Sequence, residues 1–194
     1  MTSDLSILFL VITNIALVSC KHQPPHIVII YADDLGWNDV GFHGSDQIPT
    51  PNIDALAYNG IILNSHYTPA VCTPSRAALL TGKYPIHTGT QQLVLFAAEP
   101  WGLSLEEPTL PEHLKSAGYV TRHVGKWHLG HFKTEYTPLF RGFDSHFGFY
   151  LGLHDYYNHS TRSYDTPFEG YDMRRNLDVD WSAIGKYSTD MFTE

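Results

Sequence analysis

The sequence predicts an α/β fold with a largely parallel sheet, and two observations support this. Short apolar segments rich in β-branched residues, of which residues 26–31 are the clearest, alternate with segments that carry helix signals. Strands that alternate with helices are typical of parallel sheets with crossover helices. The chain has 194 residues, 43% of them hydrophobic, which is enough for one packed core and too few for two ordinary domains.

The first strand and helix signals are local. Residues 26–31 form a continuous apolar run, as in a strand buried on both faces of a sheet. Residues 50–60 predict a helix, because Thr50 can cap it, Pro51 suits its first position and Gly60 lies just past its end. Residues 61–66 predict a second strand.

The same signals recur further along the chain. Residues 73–82 and 109–118 predict two more helices, and residues 119–124 predict a third strand. Beyond Tyr150 the chain is polar and aromatic with little periodicity, which predicts a long loop region.

The N-terminus predicts a secretory signal peptide over residues 1–20, with residues 21–194 as the folded part. Its apolar core, residues 5–18, is shorter than the roughly 20 residues of a membrane-spanning helix, so we expect no stable membrane anchor. Lipidation of Cys20 at a bacterial lipoprotein site is the alternative. Cleavage after Cys20 would leave Cys72 as the one cysteine, which excludes an intramolecular disulfide.

The charge distribution argues against a nucleic-acid partner. Twelve Lys and Arg stand against twenty Asp and Glu, for a formal net charge of -8. No cluster of basic residues is longer than the pair Arg174 and Arg175. Nucleic acid is therefore not expected to bind.

Three polar blocks follow the predicted strands. They are the pair Asp33 and Asp34, residues 72–76 and residues 126–128. Ligands of open α/β sheets bind beyond the carboxyl ends of the strands, so we expect the three blocks to converge on one site.

The residue types leave several roles open. Asp33 and Asp34 can hold a hard cation such as Ca²⁺, or can form a helix cap and a solvated turn. Cys72 can be a nucleophile or an inert buried thiol. Lys126 and His128 can serve the site or can lie on an exposed loop.

Two longer motifs resemble those of a known family, and this resemblance favours a functional role for these residues. Residues 70–82 (AVCTPSRAALLTG) closely resemble the signature of the sulfatase family, and residues 118–128 (GYVTRHVGKWH) resemble its second signature. Asp33 and Asp34 match the family's metal pair. Residues 31–40 and 141–144 are most similar to the branch of arylsulfatase B, the N-acetylgalactosamine-4-sulfatases, and its animal paralogues.

The resemblance implies a fold, a reaction and roles for the residues. The fold would be an alkaline-phosphatase-like α/β/α sandwich, incomplete in this chain. A formylglycine-generating enzyme would oxidise Cys72 during secretion, and the hydrated aldehyde would attack the sulfur of a sulfate ester. Arg76 would steady the attacking group, Lys126 would contact the sulfate, His128 would take up the proton, and one Ca²⁺ would be bound by Asp33, Asp34 and Cys72.

The resemblance also defines a substrate class and a destination. The substrates would be aryl sulfates or sulfated glycosaminoglycan sugars, and the protein would be lysosomal or extracellular. Asn158 begins an N-glycosylation sequon, Asn158-His159-Ser160, within the predicted loop region.

The chain is less than half as long as a usual sulfatase, and it contains no match to the family's second-half metal ligands and leaving-group acid. We therefore expect residues 21–194 to be inactive alone. Two alternatives are a catalytically inactive, truncated secreted protein and a phosphodiesterase of the same superfamily. The phosphodiesterases typically have Ser or Thr where Cys72 stands.

Overall fold

The computed structural model describes residues 23–163 and 166–194, and the predicted signal peptide lies outside these residues. The chain divides into two units, one ending at Asp33 and one running from Asp34 to Glu194. The described part of the first unit contains neither helix nor strand. No helix among the described residues is long and apolar enough to cross a membrane.

A four-stranded mixed sheet lies in the second unit. Strand β1 (Arg122–Lys126) pairs in parallel with β2 (Ser145–Phe149). A separate antiparallel pair consists of β3 (Ser160–Arg162) and β4 (Glu169–Tyr171). Two short strands, β5 (Arg174–Arg175) and β6 (Asp178–Val179), complete the first sheet in the order β1-β2-β5-β6, and both of their pairings are antiparallel.

The three predicted helices are present. They are α1 (Pro51–Tyr58), α2 (Cys72–Thr81) and α4 (Leu110–Ser116), and the structure adds α3 (Pro85–Thr88) and α5 (Ser188–Thr193). The backbone N–H of Thr109 donates to Glu112 Oε2 at 2.7 Å as part of a capping box before α4. Gly82 ends α2 in the left-handed conformation, with a φ of 66°. Short 3₁₀ helices span Trp37–Asp39, Gly41–His43, Thr134–Tyr136, Pro138–Phe140 and Trp181–Ala183.

Two of the predicted strands are wrong. Residues 26–31 and 61–66 join no strand ladder, and their apolar side chains are exposed: Val28 and Ile30 to 82% and Ile61 to 89%. The reason is physical. A strand exists only where a neighbouring strand accepts and donates its backbone hydrogen bonds, and no such neighbour lies beside these segments among the described residues.

The third predicted strand, residues 119–124, begins three residues later and ends two residues later in the structure. Thr121 is held before the strand, because its N–H donates to Asp144 Oδ2 at 2.9 Å and its hydroxyl to the Gly142 carbonyl at 2.6 Å. The pairing with β2 then begins at Arg122, opposite Ser145. Lys126 therefore lies at the end of β1 rather than on the loop after it.

The long loop predicted beyond Tyr150 is only partly correct. Strands β3 to β6 and helix α5 interrupt this region, although most of its described residues lie outside them. The strands are only two or three residues long, so no apolar alternation could develop along them.

The core lies directly under the end of β1. Trp127 is 1% exposed, and its indole Nε1–H is shared between the carbonyls of Tyr136, at 2.9 Å, and Gly130, at 3.1 Å. The cluster is made of Ala77, Leu103, Trp127, Leu129 and Tyr150, with Leu80 and Phe143 at its edge. Helix α2 and the segment after β1 are thus packed together by the same residues.

Arg141 is a buried cation that organises a loop. It is 2% exposed, and its guanidinium donates to the carbonyls of Leu103 at 2.9 Å, Ser104 at 3.2 Å and Glu107 at 2.7 Å. Glu112 lies 3.8 Å from its Nε. These bonds join the segment before β2 to the segment before α4.

We expect Arg141→Met to lower the free energy of unfolding by about 3 kcal/mol, because it leaves buried carbonyls without donors. Urea denaturation followed by tryptophan fluorescence measures this change. Arg162→Met, at an exposed position of β3, is the matched control and should stay within about 0.5 kcal/mol of the parent. Equal stability of the two variants would show that Arg141 does not organise the loop.

Candidate active site

Cys72 and His128 form the centre of the candidate site. Helix α2 begins at Cys72, whose side chain is half-buried, and Cys72 Sγ lies 3.1 Å from His128 Nδ1. The two residues are 56 positions apart in the sequence, so tertiary packing alone creates this contact. It places a polarisable side chain directly against a ring nitrogen that can hold a proton.

The imidazole of His128 is fixed on both sides. The residue is 2% exposed, and its backbone N–H donates to the Tyr150 carbonyl at 3.0 Å. Nε2 lies 2.8 Å from the Leu95 carbonyl. A carbonyl only accepts, so Nε2 carries a proton and Nδ1, in the neutral ring, is an acceptor that faces Cys72.

Thr73 ties together the segments that surround this pair. It is fully buried, and its hydroxyl donates to the His128 carbonyl at 3.2 Å while accepting from the Leu95 N–H at 3.0 Å. One side chain therefore links the start of α2, the segment after β1 and the segment around Leu95. The sequence prediction missed Thr73 and Leu95, although Thr73 directly follows Cys72.

Gly152 closes the other face of the His128 ring. A Cβ at position 152 would lie 2.6 Å from His128 Cε1 and 2.8 Å from Nε2, so no larger residue fits without displacing the ring. Asp172 holds this segment, since its carboxylate accepts from the N–H groups of Tyr150 at 3.0 Å and Leu151 at 2.8 Å. Burial raises the pKa of Asp172 above its ordinary value. The sequence prediction missed both residues, because both lay in the predicted loop.

A third contact between the two polar blocks joins Arg76 to Lys126. Arg76 Nη1 donates to the backbone carbonyl of Lys126 at 2.6 Å, and both side chains are partly exposed. Residues 72–76 and 126–128 therefore lie together as the sequence suggested. The bond holds the Arg76 guanidinium against the backbone at the end of β1.

The other predicted site residues are the acidic pair and the glycan acceptor. Asp33 and Asp34 fall in different units of the chain, and Asp34 adopts a left-handed φ of 58°. Asn158 is exposed in the turn before β3, as a glycan acceptor requires.

Asp33 and Asp34 supply only some of the ligands that a metal ion needs. Carboxylates suit a hard cation, and Ca²⁺ takes six to eight oxygen ligands. Across residues 23–163 and 166–194, no group of three or more His, Cys, Asp or Glu side chains is arranged to hold a metal ion. Asp33 and Asp34 thus have the carboxylate groups that Ca²⁺ prefers, but they do not complete its coordination shell.

Known proteins with similar sequences are sulfatases. Mouse arylsulfatase J is 46% identical over 172 residues, which is 88% of this chain and 28% of that protein. Human N-acetylgalactosamine-6-sulfatase is 39% identical over 85% of this chain and 31% of its own length. Human arylsulfatase A is 50% identical over 56% of this chain and 22% of its own length. The chain thus spans less than a third of each of these relatives.

Solved structures confirm the fold. The crystal structure of Ps i-CgsB superposes with a TM-score of 0.69 at 33% identity, over 87% of this chain and 39% of that one. The PsFucS1 sulfatase from Pseudoalteromonas sp. superposes with a TM-score of 0.52 at 38% identity, over 63% of this chain and 25% of that one. The predicted α/β class, of the alkaline-phosphatase-like type and incomplete in this chain, is therefore correct.

The model of the sulfatase family matches residues 25–194, which includes every residue of the candidate site. Both signatures recognised in the sequence lie within that match, and residues of each signature contact each other through Cys72 and His128. The chain therefore belongs to the sulfatase family.

Proposed function

We propose that this chain supplies the nucleophile, two cations and the proton acceptor of a sulfate-ester hydrolase, with Cys72 as the precursor of formylglycine. The contact of 3.1 Å between Cys72 Sγ and His128 Nδ1 carries the proposal, and the bond from Arg76 to the Lys126 carbonyl supports it. Both contacts join the two signatures of the family to which the chain belongs.

Position 72 suits a hydrated aldehyde. The side chain points to an imidazole nitrogen rather than into the apolar core, so a hydroxyl in place of Sγ would have a hydrogen-bond partner. Formylglycine at this position would supply a hydroxyl that attacks the sulfur of a sulfate ester, and a second hydroxyl that allows the sulfate to leave.

His128 is proposed as the proton acceptor. Its Nε2–H is committed to the Leu95 carbonyl, which leaves Nδ1 to take a proton from the side chain at position 72. Both N–H groups of the resulting imidazolium would then have partners, one at Leu95 and one at position 72. Gly152 lets this ring lie against the neighbouring backbone.

Arg76 and Lys126 are proposed to neutralise the sulfate and the attacking group. Arg76 is held by the Lys126 carbonyl and lies one helical turn after position 72, so its guanidinium can steady the oxygen there. Lys126 ends β1 and offers a compact charge for a sulfate oxygen. Fixed charges of this kind contribute about 3 kcal/mol each when one donor is removed.

Asp33, Asp34 and the side chain at position 72 are proposed to hold one Ca²⁺, which would supply Lewis-acid polarisation of the sulfate. This proposal rests on the match of the acidic pair to the family's metal pair and on the preference of Ca²⁺ for carboxylates. Among the described residues no group of three His, Cys, Asp or Glu side chains is arranged around an ion, so the proposal rests on the family match, and Ca²⁺ would need further oxygen ligands.

The proposed substrate is a sulfated sugar, as in glycosaminoglycans, or an aryl sulfate. Relatives include an N-acetylgalactosamine-6-sulfatase, and Ps i-CgsB has been solved in complex with k-i-k-neocarrahexaose. Residues 1–20 direct the chain to the secretory pathway in this proposal, with a lysosomal or extracellular destination and a glycan at Asn158.

A second candidate is a secreted sulfatase-like protein without activity. The observation that motivates it is the coverage, since the matched part is 28% of the length of mouse arylsulfatase J. A phosphodiesterase is less well supported, because Cys72, Pro74 and Arg76 all stand in the sulfatase pattern.

The proposal predicts formylglycine at position 72 in the secreted protein. The peptide that contains residues 72–76 should carry an aldehyde at position 72 when the chain is produced in cells that have the modifying enzyme. Mass spectrometry of that peptide, with and without an aldehyde-reactive probe, measures it. The same chain from cells without the enzyme is the control, and an unmodified thiol from both sources contradicts the proposal.

We expect the chain alone to show no measurable turnover of a chromogenic aryl sulfate, because a missing leaving-group acid alone costs about 10²–10⁴-fold in rate. A chimera in which residues 25–194 replace the matching part of mouse arylsulfatase J should hydrolyse it. Cys72→Ala in the chimera is the control for contaminating activity. Turnover by the chain alone that depends on Cys72 would show that the remaining part is dispensable.

Metal dependence is expected from the acidic pair. In the active chimera, Asp33→Asn and Asp34→Asn should each lower kcat/KM by on the order of 10²-fold or more while secretion continues. Asp46→Asn, at an exposed position of the same region, is the matched control and should retain activity. Full activity of chelator-treated, metal-free chimera would instead make the acidic pair a structural turn.

A further inference from the structure

Three hydrogen bonds beside position 72 form a closed cycle. The Thr73 hydroxyl donates to the His128 carbonyl at 3.2 Å, and Nε2–H of the His128 imidazole donates to the Leu95 carbonyl at 2.8 Å. The Leu95 N–H donates back to the Thr73 hydroxyl oxygen at 3.0 Å. Each of the three residues gives one hydrogen bond and takes one, and none of them is more than 2% exposed.

The cycle can run in only one direction. A backbone N–H only donates and a carbonyl only accepts, so both bonds of Leu95 have a fixed sense. The Thr73 oxygen must accept from Leu95, and its one proton is left for the His128 carbonyl. The cycle therefore requires a proton on Nε2 of His128, while Nδ1 of the same imidazole faces Cys72 Sγ at 3.1 Å.

The sheet places the backbone of His128 but not the Leu95 carbonyl that holds its imidazole. The His128 N–H continues the pairing of β1 with β2 by donating to the Tyr150 carbonyl at 3.0 Å. Leu95 instead lies in residues 89–109, which contain neither helix nor strand. Tertiary contacts must therefore fix its carbonyl, and the bond from the N–H of the same residue to Thr73 is such a contact.

The hydroxyl at position 73 has the chemistry that the cycle needs. It donates and accepts at one atom, and Thr73 directly follows Cys72 at the start of α2. A side chain of the same shape without a hydroxyl would leave the buried Leu95 N–H without this acceptor, and orphaned buried N–H groups are rare. We expect the segment around Leu95 to shift in response, and the anchor of the His128 imidazole to shift with it.

We propose that Thr73 is a positioning residue, which holds the His128 imidazole against position 72 through the backbone of Leu95. Thr73 acts through His128 and not on a substrate. The value of a fixed imidazole for proton transfer rests on the proposed function, whereas the hydrogen-bonded cycle can be tested without any substrate.

The test is nuclear magnetic resonance of the full chain, labelled with ¹⁵N at histidine and tryptophan and produced in cells without the modifying enzyme. Thr73→Val keeps the shape of the side chain and removes the hydroxyl, whereas Thr73→Ser keeps the hydroxyl. The Nε2–H of His128 should exchange with water about 10-fold faster or more in Thr73→Val, because a buried hydrogen bond is lost. Exchange in Thr73→Ser should be close to that of the parent.

The indole of Trp127 is the internal reference for general loosening of the core. Trp127 precedes His128 in the sequence, but its Nε1–H donates to the carbonyls of Gly130 and Tyr136, outside the cycle. A protein that is merely destabilised would exchange faster at both side chains. Loss of positioning should accelerate exchange at His128 alone.

Thr81→Val is the matched control for the loss of a threonine hydroxyl. Thr81 lies in the same helix, and its hydroxyl donates to the Ala77 carbonyl at 2.7 Å within α2. In this variant, exchange at His128 and at Trp127 should match the parent.

The active chimera with mouse arylsulfatase J tests the consequence for the reaction. Thr73→Val should lower kcat per formylglycine by on the order of 10-fold or more with little change in KM, because a displaced proton acceptor impairs the reaction rather than binding. Thr73→Ser should keep kcat near the parent value. Mass spectrometry measures the formylglycine content of each variant, because Thr73 lies within the modified motif. Full kcat of Thr73→Val would overturn the role in the reaction, whereas an inactive parent chimera would count against the proposed function alone.

Equal exchange of the His128 Nε2–H in the parent, Thr73→Val and Thr73→Ser would refute the proposal, as would equal acceleration at His128 and Trp127 in Thr73→Val. If Thr73→Val does not fold, the parent and Thr73→Ser decide. Slow exchange at Nε2–H in both supports the cycle, and the Nδ1–H form of His128 in either one overturns it.

Discussion

The parallel pairing of β1 with β2 is the constraint on which the candidate site depends. Its register places Lys126 opposite Phe149, and the hydrogen bonding continues past the strand, since Trp127 and His128 donate to the carbonyls of Phe149 and Tyr150 at 2.9 and 3.0 Å. A positive φ of 58° at His128 then departs from the strand conformation, and the ring faces Cys72. The core residue Trp127 is fixed by the same continuation.

The charge of the whole chain and the charge of the predicted site residues differ in sign. The sequence carries a net charge of -8, whereas the contact that joins helix α2 to the end of β1 is between two basic residues, Arg76 and Lys126. The buried carboxylate near this place, Asp172, is committed to the backbone N–H groups of Tyr150 and Leu151. Under the proposed function, Arg76 and Lys126 would supply positive charge to a sulfate ester, whereas the net charge of the whole chain would repel one at long range.

The helices of this fold could be read from the sequence, because their signals are local. Thr109 and Glu112 form a capping box within four residues, and Gly82 ends α2 by its own backbone conformation. The strands could not be read in the same way. Residues 26–31 are apolar and β-branched but join no ladder, whereas β2 contains Ser145 and His146 and is a strand because β1 pairs with it.

The candidate site was predictable to a similar extent. Cys72 and His128 were found through their motifs, and the structure brings them into contact. Thr73 and Gly152 could not be found, because their roles depend on which segments meet in space rather than on residue type. The contact between His123 and His146, whose Nδ1 atoms are 3.0 Å apart, could not be predicted either. It depends on the register of β1 and β2, which the sequence does not show.

The side chains around position 72 are held in place by packing of the chain itself. Cys72, Arg76 and His128 are held by protein contacts, namely the hydrogen bonds of Thr73, the Leu95 carbonyl and the Lys126 carbonyl. These contacts come from hydroxyl, carbonyl and ring atoms of segments that lie far apart in the sequence, so the surroundings of position 72 form only when those segments pack together. Under the proposed function, modification and metal binding would meet at position 72, and the two can be measured separately.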